Sequence, residues 1–146
     1  MKKKPLVFYF FLIILLQACG YEPIYSSKNY LFKIDNINYE NNRINNQIVN
    51  RLRSISNKDA KNFINLDIKS GKDKNVISKD KSGDPLIFEL TIFADVVING
   101  KQKKFIGKQL YSNKKNKFEL NEYEIELEKQ ITDNIINEIF IYLGGL

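Results

Sequence analysis

The chain has 146 residues, with 23 Lys and Arg against 17 Asp and Glu, a formal net charge of +6 and a single cysteine. It contains no histidine, which removes serine-histidine and cysteine-histidine nucleophilic sites and most zinc sites. The lone cysteine leaves no partner for an intramolecular disulfide, and the spread of Lys, Asn and Ile through the chain makes its basic balance a composition bias and not a nucleic-acid signal.

The N-terminus runs Met1-Lys2-Lys3-Lys4, then a nearly unbroken apolar stretch from Pro5 to Leu16, then Gln17-Ala18-Cys19-Gly20. A positive start, an apolar middle and a small residue before a cleavage point are the parts of an export signal. The apolar stretch is short for a permanent helix across roughly 30 Å of hydrocarbon. Leu16 and Ala18 stand where the lipoprotein signal peptidase accepts a leucine and a small residue before cysteine, although Gln17 departs from the small or apolar residue usual between them. Residues 1–18 are therefore expected to be a lipoprotein signal peptide, with Cys19 the lipidated residue. The alternatives are an ordinary signal peptide with a coincidental cysteine and an uncleaved anchor helix. Acyl chains contribute about 0.8 kcal/mol per buried methylene, so two or more hold a protein to the membrane. Gly20 is not the aspartate that often retains such lipoproteins in the inner membrane, so the expected place is the outer membrane, lipid-anchored and facing the periplasm.

Residues 19–29 read as an extended tether, because Pro23 lacks a backbone donor and Ser26, Ser27 and Asn29 favour turns. Residues 30–146 are expected to form one domain. From Tyr30 to Tyr39 the apolar positions alternate and then change phase between Ile34 and Ile37, which predicts a strand with a bulge. From Asn42 to Ile55 the period becomes helical, with Ile44, Ile48, Leu52 and Ile55 on one stripe. Phe63 to Lys69 predicts a second strand, with Ile64, Leu66 and Ile68 on one face. Leu86 to Asn99 predicts a third, apolar along Leu86, Phe88, Leu90, Ile92, Ala94, Val96 and Ile98. Its other face mixes Ile87, Phe93 and Val97 with Glu89, Thr91 and Asp95, which fits either a partner surface or scattered surface apolar residues. Asn99-Gly100 is a two-residue hairpin signal, followed by a strand from Lys103 to Tyr111.

A final helix is expected to start at a capping box of Asn121 and Glu124, stapled by Leu120 and Ile125. Tyr123, Leu127, Ile131, Ile135, Ile139 and Tyr142 form its apolar stripe, and Gly144 and Gly145 end it. The expected fold class is an α+β two-layer sandwich: a four-stranded sheet with two helices packed on one face, in the order β-α-β-β-β-α. Most glutamates fall between Glu119 and Glu138 on a helical pattern, which reads as a solvated face more than a catalytic pair. With no glycine-rich phosphate loop and no metal-ligand spacing, the chain is expected to be non-enzymatic and to need no cofactor or metal.

Two lysine groups carry the candidate site. Three successive antiparallel strands bring the segment after the second strand and the segment after the fourth to the same end of the sheet. The first is expected to carry Lys72, Lys74, Lys79 and Lys81 in a loop, the second Lys114, Lys115 and Lys117, with Asn99-Gly100 at the other end. Lysine donates to phosphate as a point charge without fixed geometry, so these residues are candidates for an anionic glycolipid site. The bland reading, soluble loops in a lysine-rich protein, has about equal standing.

Cys19-Gly20-Tyr21-Glu22-Pro23-Ile24-Tyr25 resembles the opening of the lipopolysaccharide-assembly lipoproteins called LptE, in their short alphaproteobacterial form. Tyr111-Ser112-Asn113, before the last helix, is also similar to their pattern, and the element order is similar across the chain beyond Cys19. The last helix is rich in Ile and Glu where such proteins tend to be rich in alanine. The resemblance implies a plug and assembly partner for the outer-membrane β-barrel LptD, which together move lipopolysaccharide to the outer leaflet. It implies direct contact with lipopolysaccharide through basic residues, and no nucleic-acid partner. The alternative function is a small outer-membrane lipoprotein that scaffolds an envelope or barrel-assembly complex.

Overall fold

The computed structural model describes residues 32–145. Residues 1–18, Cys19 and the expected tether 19–29 lie outside the described residues. The order is β1 (Phe32–Tyr39), α1 (Arg43–Ile55), β2 (Asn62–Lys79), β3 (Pro85–Ile98), β4 (Lys101–Ser112) and α2 (Lys117–Leu143). This is the expected α+β fold, a four-stranded sheet with two helices. The sheet order is β1-β2-β3-β4, with β1 parallel to β2 and the other pairs antiparallel.

Alternation along β3 decides which face is covered. Phe88, Leu90, Ile92, Ala94, Val96 and Ile98 are buried, and the register brings Leu66, Ile68, Phe105 and Tyr111 to the same face. The stripe of α1 (Ile44, Ile48, Leu52) and that of α2 (Leu127, Ile131, Ile135, Ile139) complete this one core. Helix α1 lies toward β1 and β2, and α2 toward β3 and β4. The phase change in β1 is a register shift between Ile34 and Asn36, which turns Ile34, Ile37 and Tyr39 all toward the core. Asn99 (φ 47°) and Gly100 (φ 83°) both take left-handed backbone and close the tight β3–β4 hairpin that the sequence signals.

Two boundaries differ from expectation. β2 does not stop at Lys69 but continues to Lys79, so Lys72, Lys74 and Lys79 belong to a strand and not to a loop. The ladder to β3 supplies the reason: pairing runs on from Lys69↔Asp95 through Lys72↔Ile92 and Lys74↔Leu90 to Lys79↔Pro85. The last helix begins at Lys117 and not at Asn121. Its cap is Asn116, whose Oδ1 accepts from the amides of Phe118 at 2.9 Å and Glu119 at 3.5 Å. No described helix is long and apolar enough to cross a membrane.

Helix α2 approaches β4 closely at Gly107, where a Cβ would stand 2.4 Å from Cγ2 of Ile131. Only a residue without a side chain fits beneath Ile131. Gly107→Ala is therefore expected to lower unfolding stability by about 1–3 kcal/mol through overpacking, and Ile131→Ala by about 2–5 kcal/mol through cavity formation. Urea unfolding of the two single variants and the double variant should show a loss smaller than the sum, because removing Cγ2 relieves the clash.

Candidate functional site

The β2–β3 turn and the β4–α2 connection do meet at one end of the sheet. The amide of Asn113 donates to the carbonyl of Leu86 at 2.8 Å, and its side-chain Nδ2 donates to the carbonyl of Pro85 at 2.8 Å. Lys79 ends β2, Lys81 sits in the turn, Lys114 and Lys115 lie in the connection and Lys117 opens α2; all five are exposed. None of these five makes an ion pair among the described residues. The nearest turn carboxylate is occupied by backbone, since Oδ1 of Asp80 accepts from the amides of Ser82 and Asp84 at 2.8 Å each.

Between the two connections lies a cavity of about 580 Å³. Pro85, Phe88 and Leu120 supply apolar walls, Lys114, Lys115 and Lys117 supply charge, and Asp84 and Glu124 also line it. Lys114 Nζ stands 4.6 Å from the ring centroid of Tyr123. Phe118, at 67% exposure, and the exposed Val76, Ile77 and Leu86 surround the same end. Apolar side chains beside unpaired ammonium groups are suited to an amphiphile with an anionic head. The lysines were visible in the sequence. The apolar part was not, because Phe118, Val76 and Ile77 stand on three different elements or phases that only the fold brings together.

Lys72 and Lys74 do a different job. Both lie on the helix-covered face, where Lys72 Nζ donates to Glu128 Oε2 at 2.7 Å and Lys74 Nζ donates to Glu124 Oε1 at 2.5 Å. Arg43 Nε donates to the other Glu128 oxygen at 2.7 Å, and Tyr111 OH donates to Glu124 Oε1 at 2.7 Å. Lys74 also sits 4.1 Å from the ring centroid of Phe88. The Glu128 side chain is 6% exposed against 54% for each cation, so the carboxylate is desolvated while its partners keep water. Burial works against the Glu128 charge, but donation from Arg43 and Lys72, together with their charges, outweighs it and holds the carboxyl below its ordinary value. The Arg43 guanidinium is shifted up, chiefly by its hydrogen bond to Glu128. Burial, then the hydrogen bond to Glu124, pushes the Tyr111 hydroxyl well up.

No family model and no curated protein sequence matches the chain. Solved structures do. Rare lipoprotein B from Shewanella oneidensis superposes with a TM-score of 0.51 at 18% identity, covering 74% of this chain and 96% of that one. Lipoprotein B from Nitrosomonas europaea gives 0.57 at 15% identity, over 74% and 79%. A minor lipoprotein from Acinetobacter baumannii gives 0.54 at 11% identity, over 77% and 92%. The chain has the fold of these lipoproteins. At such identities the likeness is one of backbone path, and it places the described strands and helices without assigning any side chain a role.

Depression of the Glu128 carboxyl fixes the sign of a pH effect. Its contribution is present above the unfolded-state value and is lost as pH falls through the lower folded-state value. Unfolding stability should therefore decline as pH falls below the ordinary carboxyl value of 4.5. Glu128→Gln should flatten that limb and cost about 1–3 kcal/mol at neutral pH, read from urea unfolding at a series of pH values.

Proposed function

We propose that the chain is a lipid-anchored outer-membrane lipoprotein that assists lipopolysaccharide assembly, acting as plug and assembly partner of an LptD-type barrel, with lipopolysaccharide held at the lysine end. The observation that carries this reading is the meeting of Lys79, Lys81, Lys114, Lys115 and Lys117 around an apolar-walled cavity. Lipopolysaccharide joins phosphate to acyl chains, and that cavity joins ammonium groups to apolar side chains. The opening Cys19-Gly20-Tyr21-Glu22-Pro23-Ile24-Tyr25 and the fold shared with rare lipoprotein B support the same assignment. Lys72 and Lys74 are not part of the proposed ligand set, because their ammonium groups are engaged by Glu128 and Glu124.

Two measurements test the anchor and the partner. Cys19→Ala should block processing and fatty-acid incorporation, leaving a longer, unacylated chain; normal maturation of that variant would remove the lipoprotein assignment. Pull-down of the lipidated chain from outer membranes should recover one barrel protein in stoichiometric amount. Recovery of peptidoglycan or of another assembly complex instead would favour the scaffold role.

Binding of lipopolysaccharide tests the ligand. Charges near an anionic surface are worth about 1 kcal/mol each, so replacing Lys79, Lys81, Lys114, Lys115 and Lys117 with glutamine should weaken binding by tenfold or more. Raising salt should weaken the native chain in the same direction. The thermal melt of the variant should match the native one, since these five side chains touch neither helix stripe. Unchanged binding in the folded variant would reject the site.

A further inference from the structure

β4 is an edge strand that pairs with β3 alone. The amide of Asn113 bonds to Leu86, and the register carries on through Tyr111↔Phe88, Gly107↔Ile92 and Lys101↔Ile98. Residues of an antiparallel strand alternate in the direction of their backbone groups. The odd-numbered residues of β4 therefore bond β3, and Gln102, Lys104, Ile106, Lys108 and Leu110 turn their N–H and C=O groups to the free edge. A long edge of unspent donors and acceptors is a template for an added strand.

Next to that edge, a cavity of about 480 Å³ opens between β4 and the last turns of α2, lined by Phe105, Ile106, Glu138, Ile141 and Tyr142. Ile106 is 49% exposed and Ile141 64%. An extended segment laid along β4 would place alternate side chains in this slot. The charge of the strand narrows the choice of segment: β4 carries Lys101, Lys103, Lys104 and Lys108 and no carboxylate. Among the described residues only Lys108 of these is ion-paired, to Glu89 at 3.5 Å. A second copy pairing through β4 would set these lysines against their own kind, which is destabilising.

We propose that the β4 edge binds, by strand addition, an extended segment of another protein in which acidic residues alternate with aliphatic ones. This site lies beside the Asn99-Gly100 hairpin, away from the lysine end, and does not rest on the lipopolysaccharide reading.

The test uses the full chain with a synthetic peptide of alternating glutamate and valine, and a lysine-valine peptide as the reversed-charge control. Amide hydrogen exchange at Gln102, Lys104, Ile106 and Lys108 should slow by about tenfold with the acidic peptide and not with the control. Ile106→Pro removes an outward amide without breaking a ladder bond, so the variant should keep its melting temperature and lose the protection. Reversing charge with Lys101→Glu, Lys103→Glu and Lys104→Glu together should transfer binding to the lysine peptide, a readout that stands even where the proline variant unfolds. The proposal is overturned by absence of protection at about 1 mM acidic peptide. Protection confined to other strands, full protection in folded Ile106→Pro, or an unchanged peptide preference after charge reversal would overturn it equally.

Discussion

The position of α2 on the sheet depends on two carboxylates, Glu124 and Glu128, meeting two lysines, Lys74 and Lys72. Four residues of helix rise about 6 Å and two residues of strand about 6.6 Å, so an i, i+4 pair on α2 matches an i, i+2 pair on β2. A slip of α2 by one residue would leave the Glu128 carboxylate desolvated and unpaired, which is costly in a way that a slipped apolar stripe is not. Glu128 adds a third element through Arg43 on α1, and Tyr111 on β4 adds a fourth by way of Glu124. The apolar stripes bring the helices to the sheet; the buried carboxylates select the register.

That same device explains where sequence reading succeeded and where it stopped. The apolar alternation of β3, the bulge in β1, the Asn99-Gly100 hairpin and the Leu127-Ile131-Ile135-Ile139 stripe each leave a local pattern, and each is found in the structure. The second half of β2 leaves none, because Ser70, Lys72 and Lys74 take the helix-facing positions that an apolar alternation would fill. Their aliphatic stems and paired ammonium groups replace apolar side chains, so a strand read by hydrophobicity ends too early. The start of α2 was misplaced for a different reason. Asn116 with Glu119 and Asn121 with Glu124 have the same spacing, and only the cap geometry shows that the earlier asparagine is used while Glu124 is needed on β2 and β4. In the candidate site, the lysines of the turn and of the β4–α2 connection could be foreseen from strand direction, but the withdrawal of Lys72 and Lys74 from it depended on these pairings.

Both helices cover one face, and the other face of the sheet keeps a mixed surface. Lys104 stands over the Phe93 ring at 4.9 Å and Lys33 over Phe63 at 5.5 Å, and Lys108 reaches Glu89. Rows of charge crossing the strands, such as Lys69, Asp95 and Lys104, interrupt the apolar positions. Such a surface is compatible with water, since cation-ring contacts and cross-strand charge pairs cover part of its apolar area.

The parallel pairing of β1 with β2 also gives the molecule a direction. Phe32 enters the sheet beside Asn62, whereas Lys79 stands at the far end of the 18-residue strand, about 60 Å away at some 3.3 Å per residue. The chain between Cys19 and Phe32 reaches at most about 45 Å even when fully drawn out. A molecule held at Cys19 is thus a lever with its fulcrum at Phe32: upright, it carries its free ammonium groups beyond the headgroup layer that holds the anchor, and only by lying along that layer does it bring them down to it.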